Sequence, residues 1–489
     1  MEVVDAVSLG LHEPRLLSRI LTYISSSPRD VLSASHVAAL WRTVALATPH
    51  IWSTITPELG IEAVICHLTR SQDTPLDVHF TLPIVVNNPY DLIRAFMEPV
   101  LANAWRWRSF SVDVPVAKWM DFVLDACRER LAGHVLNLDA LSLRVNSNAQ
   151  YGYTSNDGML IPALPFAPRH LVLDSVPAWQ PTPFSPRLRV LDIRNHLPLT
   201  SIGKARAQKL TLAPDMSVFL ALLQRAPELE SLQVSSSAPT LSDAALPTIS
   251  LPSLHTIAIE ATDALALAAF LDRATVSALT TLYIKWSGGV QTNNVEPFLI
   301  SLPMIAPQLQ SLSVTTVAHI PTTTWVTMFS GLKELRQVAL EAMDFGVEVL
   351  AALVELPVLR SLAFRHQDTI TGDILVAVAR ARIARNDVSA LEVLEISLCE
   401  SVHPEDVQAI ADIVPELIVR FGPASGKTID ETMEEMELDD DAEEEDGDEN
   451  DSDMDDDDDD LDWESDVRAE LELLREDNRM HGDMIRGWA

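Results

Sequence analysis

The chain has 489 residues, 47% of them apolar, and a formal net charge of −36 that is very unevenly placed. From Thr428 to the end, 30 acids stand against 4 bases, so the preceding 427 residues carry only −10. Such a body lacks the clustered Lys and Arg that direct binding to nucleic acid or to an anionic membrane surface requires, and both are excluded from the reading. Three cysteines, Cys66, Cys127 and Cys399, are too few and too far apart for a disulfide framework or a zinc site. A reducing compartment, cytoplasmic or nuclear, is expected. Glu2 and Asp5 stand where a secretory leader would be basic. No run reaches the roughly 18 uncharged apolar residues of a membrane span.

In chain order, the first predicted unit is a small all-α head over residues 1–60. Leu16, Leu17, Ile20, Leu21 and Ile24 recur at helical spacing after Pro14. Ser25-Ser26-Ser27-Pro28 breaks that helix, and Asp30 is placed to cap a second one carrying Val31 and Leu32. A third helix carries Val37, Leu40, Trp41 and Val44 and stops at Pro49, before Ile51 and Trp52. Three short helices make too small a core to stand alone, so the unit is expected to lean on a neighbour or a partner. Leu16-Leu17-x-x-Ile20, Pro28-Arg29-Asp30-Val31-Leu32, Val37-x-x-x-Trp41 and the closing Ile51-Trp52 together resemble an F-box. The Leu-Pro pair that usually opens that family falls here on His12-Glu13, with Leu11 one residue earlier, and its Val-Cys pair is Val37-Ala38. The resemblance implies that the head binds the Skp adaptor, and through it the cullin core of an SCF ubiquitin ligase. It implies an adaptor surface of Leu11, Leu16, Leu17, Ile20, Leu21, Leu32 and Val37, with Trp41 and Trp52 inside the head.

A repeat follows, with the pattern Leu-x-x-Leu-x-Leu. It reads Leu188-x-x-Leu191-x-Ile193, Leu229-x-x-Leu232-x-Val234, Leu254-x-x-Ile257-x-Ile259 and Leu279-x-x-Leu282-x-Ile284. It continues as Leu309-x-x-Leu312-x-Val314, Leu335-x-x-Val338-x-Leu340, Leu359-x-x-Leu362-x-Phe364 and Leu391-x-x-Leu394-x-Ile396. From Leu229 the steps are 25, 25, 30, 26, 24 and 32 residues, the leucine-rich-repeat period. Alternating apolar residues place one strand per repeat, and stretches such as Ala264–Leu271 and Val347–Leu356 place a helix between strands. The predicted fold class is therefore α/β: parallel strands with helices outside, spanning 61–422 and irregular before 188. Earlier segments fit more loosely: Leu76–Phe80, Trp107–Val112, Leu138-x-x-Leu141-x-Leu143, Leu171-x-Leu173 and Leu210-x-Leu212. Residues 145–160 read as a loop, and Leu417–Phe421 as the last strand. The Asn or Cys that the family pattern places eight residues after the first Leu is met only by Cys399; Ser237, Thr262 and Ser287 are partial substitutes, and Gln367 stands at another such position. In these respects the chain resembles F-box proteins with C-terminal, degenerate leucine-rich repeats of the fungal type.

Beyond the repeats, residues 430–460 hold 22 acids and no base. A disordered acidic tail is expected over 423–462 and a short amphipathic helix, with Trp463, Val467, Leu471 and Leu474, over 463–489. The acidic run is open to three readings: solubilising ballast, a lure for basic partners such as histones, or a likeness to the acidic leucine-rich nuclear phosphoproteins. Gly422-Pro423-Ala424-Ser425-Gly426-Lys427-Thr428 imitates a phosphate-binding loop but is one residue short and carries a proline where an amide donor is needed. His366-Gln367-Asp368 reads as a solvated turn, and neither His-Glu-x-x-His nor Gly-x-Ser-x-Gly occurs. No catalytic residue, cofactor or metal is expected. Trp105, Trp107, Trp119, Trp179, Trp286 and Trp325 are each more often core or a loop anchor than a binding residue; Trp286, placed just past a strand ending at Ile284, is the best surface candidate for binding a protein target.

Overall fold

The computed structural model describes residues 13–83, 86, 88–146, 166–176, 185–194, 216–235, 246–261, 264–286, 295–315, 320–343, 346–367, 369–399 and 401–420. Residues 1–423 make one compact unit. The second, 424–489, lies outside the described residues, and with it the expected amphipathic helix, nearly all of the acidic tail and most of the phosphate-loop imitation. The loop expected over 145–160 is described only at its first two residues, and Leu11, Trp179 and Leu210-x-Leu212 also fall outside.

Among the described residues fourteen strands form one long parallel sheet in strict sequence order, and Ile249–Ser250 and Ala274–Thr275 pair apart from it as a short parallel ribbon. They are β1 (Thr54–Ile55), β2 (Leu76–Thr81), β3 (Trp107–Val114), β4 (Ala140–Val145), β5 (His170–Asp174), β6 (Val190–Arg194) and β7 (Ser231–Ser235). Then come β8 (Thr256–Ala261), β9 (Thr281–Trp286), β10 (Ser311–Thr315), β11 (Gln337–Glu341), β12 (Ser361–Arg365), β13 (Val393–Ser397) and β14 (Glu416–Arg420). The repeat register is met rung by rung: Leu191 pairs with Leu232, then Ile257, Leu282, Leu312, Val338, Leu362, Leu394 and Leu417. The looser early segments belong to the same ladder, which starts at Ile55 and runs through Val78, Phe110, Leu141 and Leu171 to Leu191. The sheet thus begins at Thr54, inside the stretch expected to belong to the head.

Among the described residues thirteen α-helices accompany the sheet: α1 (Pro14–Tyr23), α2 (Pro28–Ser35), α3 (Ala39–Leu46), α4 (Ile61–Arg70), α5 (Pro89–Leu101), α6 (Ala117–Arg130) and α7 (Met216–Leu223). The rest are α8 (Ala264–Arg273), α9 (Val295–Ile305), α10 (Thr322–Gly331), α11 (Val347–Val354), α12 (Gly372–Ile383) and α13 (Pro404–Ala411). From α7 onward each packs on the next. Their buried residues, such as Phe219, Phe298 and Leu350, join the alternate strand residues in one continuous core. Because side chains alternate along a strand, the residues between those rungs lie on the face opposite the core.

Two details show how an irregular sequence holds a regular stack. Residues leaving four strands, Ser175, Ala342, His366 and Leu398, have φ between 50° and 55°, the left-handed region that costs a non-glycine residue about 1–2 kcal/mol. Each donates its N–H to the last strand residue of the next rung: Ser175 to Arg194 O, Ala342 to Arg365 O, His366 to Ser397 O and Leu398 to Arg420 O, at 2.7–2.9 Å. Buried polar side chains also serve the turns. Cys399 Sγ lies 3.6 Å from Phe364 O. The Gln367 amide, oriented to satisfy itself, donates to Met343 O and accepts from the Ala342 and Met343 N–H groups. Gln367 thus satisfies the backbone of the turn that Ala342 and Met343 make. Arg382, almost fully buried, donates to Leu353 O, Val354 O, Leu359 O and Ser389 O at 2.6–3.1 Å, closing the carbonyl end of α11; burial lowers its pKa to about 10.

Candidate functional site

Two surfaces stand out among the described residues: one on the first three helices, the other on the face of the sheet opposite the core.

α1, α2 and α3 share a buried cluster of their own, separate from the main core: Leu17, Leu21, Val31, Ala34, Val44, Ala45, Ile51 and Trp52. Proline at the first position starts α1 and α2. Ser27 takes the N-cap position of α2, and Asp30 lies in its first turn instead of capping it. α1 carries apolar residues in two directions, Leu16 and Ile20 in one and Leu17 and Leu21 in the other, and Leu17 and Leu21 are wholly buried against the other helices. They are therefore packing residues and not a free adaptor surface. Leu16 is 40% exposed and Ile20 half-buried, so the uncovered stripe is the one through Leu16 and Ile20. Leu32 and Ile24 are half-buried, while Val37 and Tyr23 stand 66% and 89% exposed. Trp41, expected inside, is only half-buried; the aromatic anchor is Trp52. Its Nε1 donates to Ala45 O at 2.8 Å, the His67 ring meets it edge-on at 5.0 Å and the Arg70 guanidinium lies 4.5 Å from its centre. Trp52 lies inside, as expected, carried inward by the 3₁₀ turn Pro49–Trp52.

On the open face, the row of residues one step past each second rung alternates in charge: Asp113, Arg144, Asp174 and Arg194, then Glu260 and Lys285, then Glu341 and Arg365. Arg144 lies 3.5 Å from Asp113 and 3.1 Å from Asp174, and Lys285 lies 3.0 Å from Glu260. Arg365 reaches across to Glu395 with both nitrogens at 2.9–3.0 Å. The Arg365 hydrogen bonds hold the Glu395 carboxyl below its usual range, and the Glu260 carboxylate raises the Lys285 pKa. Burial raises the Asp113 pKa, opposed by Arg144. At the start of the sheet, burial works against ionised Asp77, but hydrogen bonds from Arg108 and Ser109 outweigh it and lower its pKa. The row between, from β8 to β12, is Ala258, Tyr283, Ser313, Ala339 and Ala363, a floor of small side chains with one phenol. In each of the pairs Asp113–Arg144, Asp174–Arg144, Glu260–Lys285 and Glu395–Arg365 the acidic side chain is the more shielded partner and its charge is matched within the face itself.

Trp286 does not reach either surface. The strand β9 runs two residues further than the pattern indicated, and Trp286 has the parity of Leu282 and Ile284, so it points inward and is fully buried. Trp107 and Trp325 are buried as well and Trp119 partly so; among the described residues the exposed tryptophan is Trp105, at 67%. His366 and Gln367 are no catalytic pair: the first is an exposed turn residue and the second is buried in backbone hydrogen bonds. Among the described residues no group of His, Cys, Asp and Glu is placed to hold a metal ion, and no helix is long and apolar enough to cross a membrane.

No family model matches the sequence. No curated protein matches it significantly either. Among solved structures, the chain is similar to the crystal structure of the Rad7 and Elc1 complex in yeast, with 13% identity and a TM-score of 0.37 over 87% of this chain and 97% of that one. It is also similar to the crystal structure of a protein from Bacteroides fragilis, with 10% identity and a TM-score of 0.31 over 73% of this chain and 78% of that one. Likenesses of this size carry no argument about function.

Proposed function

We propose that this chain is a non-enzymatic substrate receptor of an SCF-type ubiquitin ligase, an F-box protein with leucine-rich repeats. The first three helices would bind the Skp adaptor, and the repeats would hold a protein target. One observation carries the reading: the helices with the F-box-like spacing close a small core of their own, yet leave Leu16, Ile20, Leu32 and Val37 wholly or partly uncovered. Exposed apolar side chains on so small a unit mark a partner surface. In calorimetry with purified Skp adaptor, the full chain is expected to bind with at least micromolar affinity. Leu16→Asp together with Val37→Asp is expected to abolish the heat while the circular-dichroism melt stays parental. Leu17→Asp, by contrast, charges the buried cluster and should loosen the helices themselves. No binding by the full chain at tens of micromolar sinks the ligase reading.

The acidic run, with 22 acids and no base over 430–460, favours a second reading: a nuclear protein that binds or chaperones basic partners such as histones. Salt-sensitive binding to histones, lost on removal of residues 430–460 and indifferent to the Leu16 and Val37 changes, distinguishes it.

A further inference from the structure

The two ends of the sheet differ. The first strand, β1, is two residues long and lies next to the buried Trp52. The last, β14, is a five-residue strand, and the strand order ends with it. Its Glu416 N–H donates to Glu392 O at 3.0 Å, and its Arg420 O accepts from Leu398 N–H at 2.9 Å, so residues 416, 418 and 420 turn their backbone groups toward β13. Successive residues of a strand alternate, so the N–H and C=O of Leu417 and Val419 point away from β13, along an edge on which no further strand pairs among the described residues. The side chains show the same incompleteness. Thirteen rungs of the ladder, from Ile55 to Leu394, are buried, whereas Leu417, the fourteenth, is only half-buried, as are Ile418 and Val419. A straight, aliphatic edge is a template for another strand.

The sequence of this edge, Glu416-Leu417-Ile418-Val419-Arg420, is self-complementary when reversed. We propose that β14 is a self-association edge, on which a second copy of the chain pairs antiparallel about Ile418. In that register Leu417 lies opposite Val419 of the partner subunit. These are the residues whose backbone groups face outward, so each pair exchanges two hydrogen bonds. Ile418 meets the partner's Ile418 at the close, non-hydrogen-bonded spacing, and Glu416 meets the partner's Arg420 on the same face. Charges at an edge normally prevent pairing, but opposite charges at the two ends of a strand meet in this two-fold arrangement. The pairing joins two fourteen-strand sheets into one. A single edge buries less than the roughly 1,200 Å² of a standard interface, so a weak, micromolar dimer is expected.

The proposal is independent of the ligase reading, and sedimentation equilibrium on the full chain tests it, from about 1 to about 100 µM in about 0.15 M salt, which screens the like charges of the two copies. A concentration-dependent dimer is expected. Glu416→Arg places like charges opposite each other twice and should weaken the dimer at least tenfold, as should Arg420→Glu. The double variant restores complementarity and should restore the parental constant. Both positions are exposed, so folding is not at stake. Val419→Pro removes an edge donor without touching the ladder to β13 and should also abolish dimers. A chain that stays monomeric to about 100 µM, or a dimer indifferent to the single charge swaps, overturns the proposal.

Discussion

His67 is fully buried where the 3₁₀ turn bearing Trp52 meets α4, and it packs edge-on against Trp52. Burial pushes its pKa from 6.5 down to about 4, with Arg70 adding to the effect and the backbone at Thr54 and Trp52 opposing it. A histidine held neutral in the fold protonates in the unfolded chain first. Above about pH 6.5 the group leaves stability unchanged; from there down to about pH 4 the unfolded chain takes up a proton the fold refuses, and stability falls. At 1.36 kcal/mol for each pKa step, the full loss is about 3 kcal/mol. Urea unfolding at pH 7 and pH 5 should show the parent clearly weaker at pH 5. His67→Phe should lose less over the same interval, and an equal loss in both would show that His67 is not the titrating group.

At the level of elements, the strand exits make a sharper case than the strands. Ala342 leaves β11 with φ 51°, exposed, and with its N–H engaged to Arg365 O. Glycine reaches that conformation without the steric cost of Cβ, so Ala342→Gly should stabilise the chain by roughly 0.5–1 kcal/mol, the reverse of glycine's usual effect within an element. A melting temperature that drops on this change would mean the turn is not left-handed in solution. The same residues show where sequence reading stopped. Apolar alternation located eight rungs by number, because a one-residue slip would turn Leu232 and Val234 to solvent. It did not show that β9 continues to Trp286, since a tryptophan fits either face at a strand end. Nor did helical spacing show which stripe of α1 faces inward: Leu16 and Leu17 are equally apolar, and only the packing of α2, α3 and Trp52 decides between them. The turns at Ala342, His366 and Leu398 were invisible because the residues there are not the glycine or asparagine that such turns favour.

For the molecule as a whole, each of the fourteen strands of the long sheet pairs only with its neighbours in the ladder, so stability is approximately a sum over repeats and the faces between them. A lesion should therefore spread along the stack and fade with distance. Leu362→Asp puts an unpaired charge into the core at β12, at a cost of several kcal/mol. Amide hydrogen exchange should then quicken most in β11 to β14 and least in β2 to β4. Uniform acceleration in every strand would mean that the unit melts all at once.

Nearest-neighbour pairing also sets how this chain meets the ribosome. A rung needs nothing downstream of itself except the next rung, about 25 residues later along the regular stretch. At roughly 5–20 residues per second, each new layer emerges within about 1–5 s of the last. Folding of residues 1–423 can thus keep step with translation, each new turn docking on a surface already built, with a single layer's width of apolar surface unshielded at any moment.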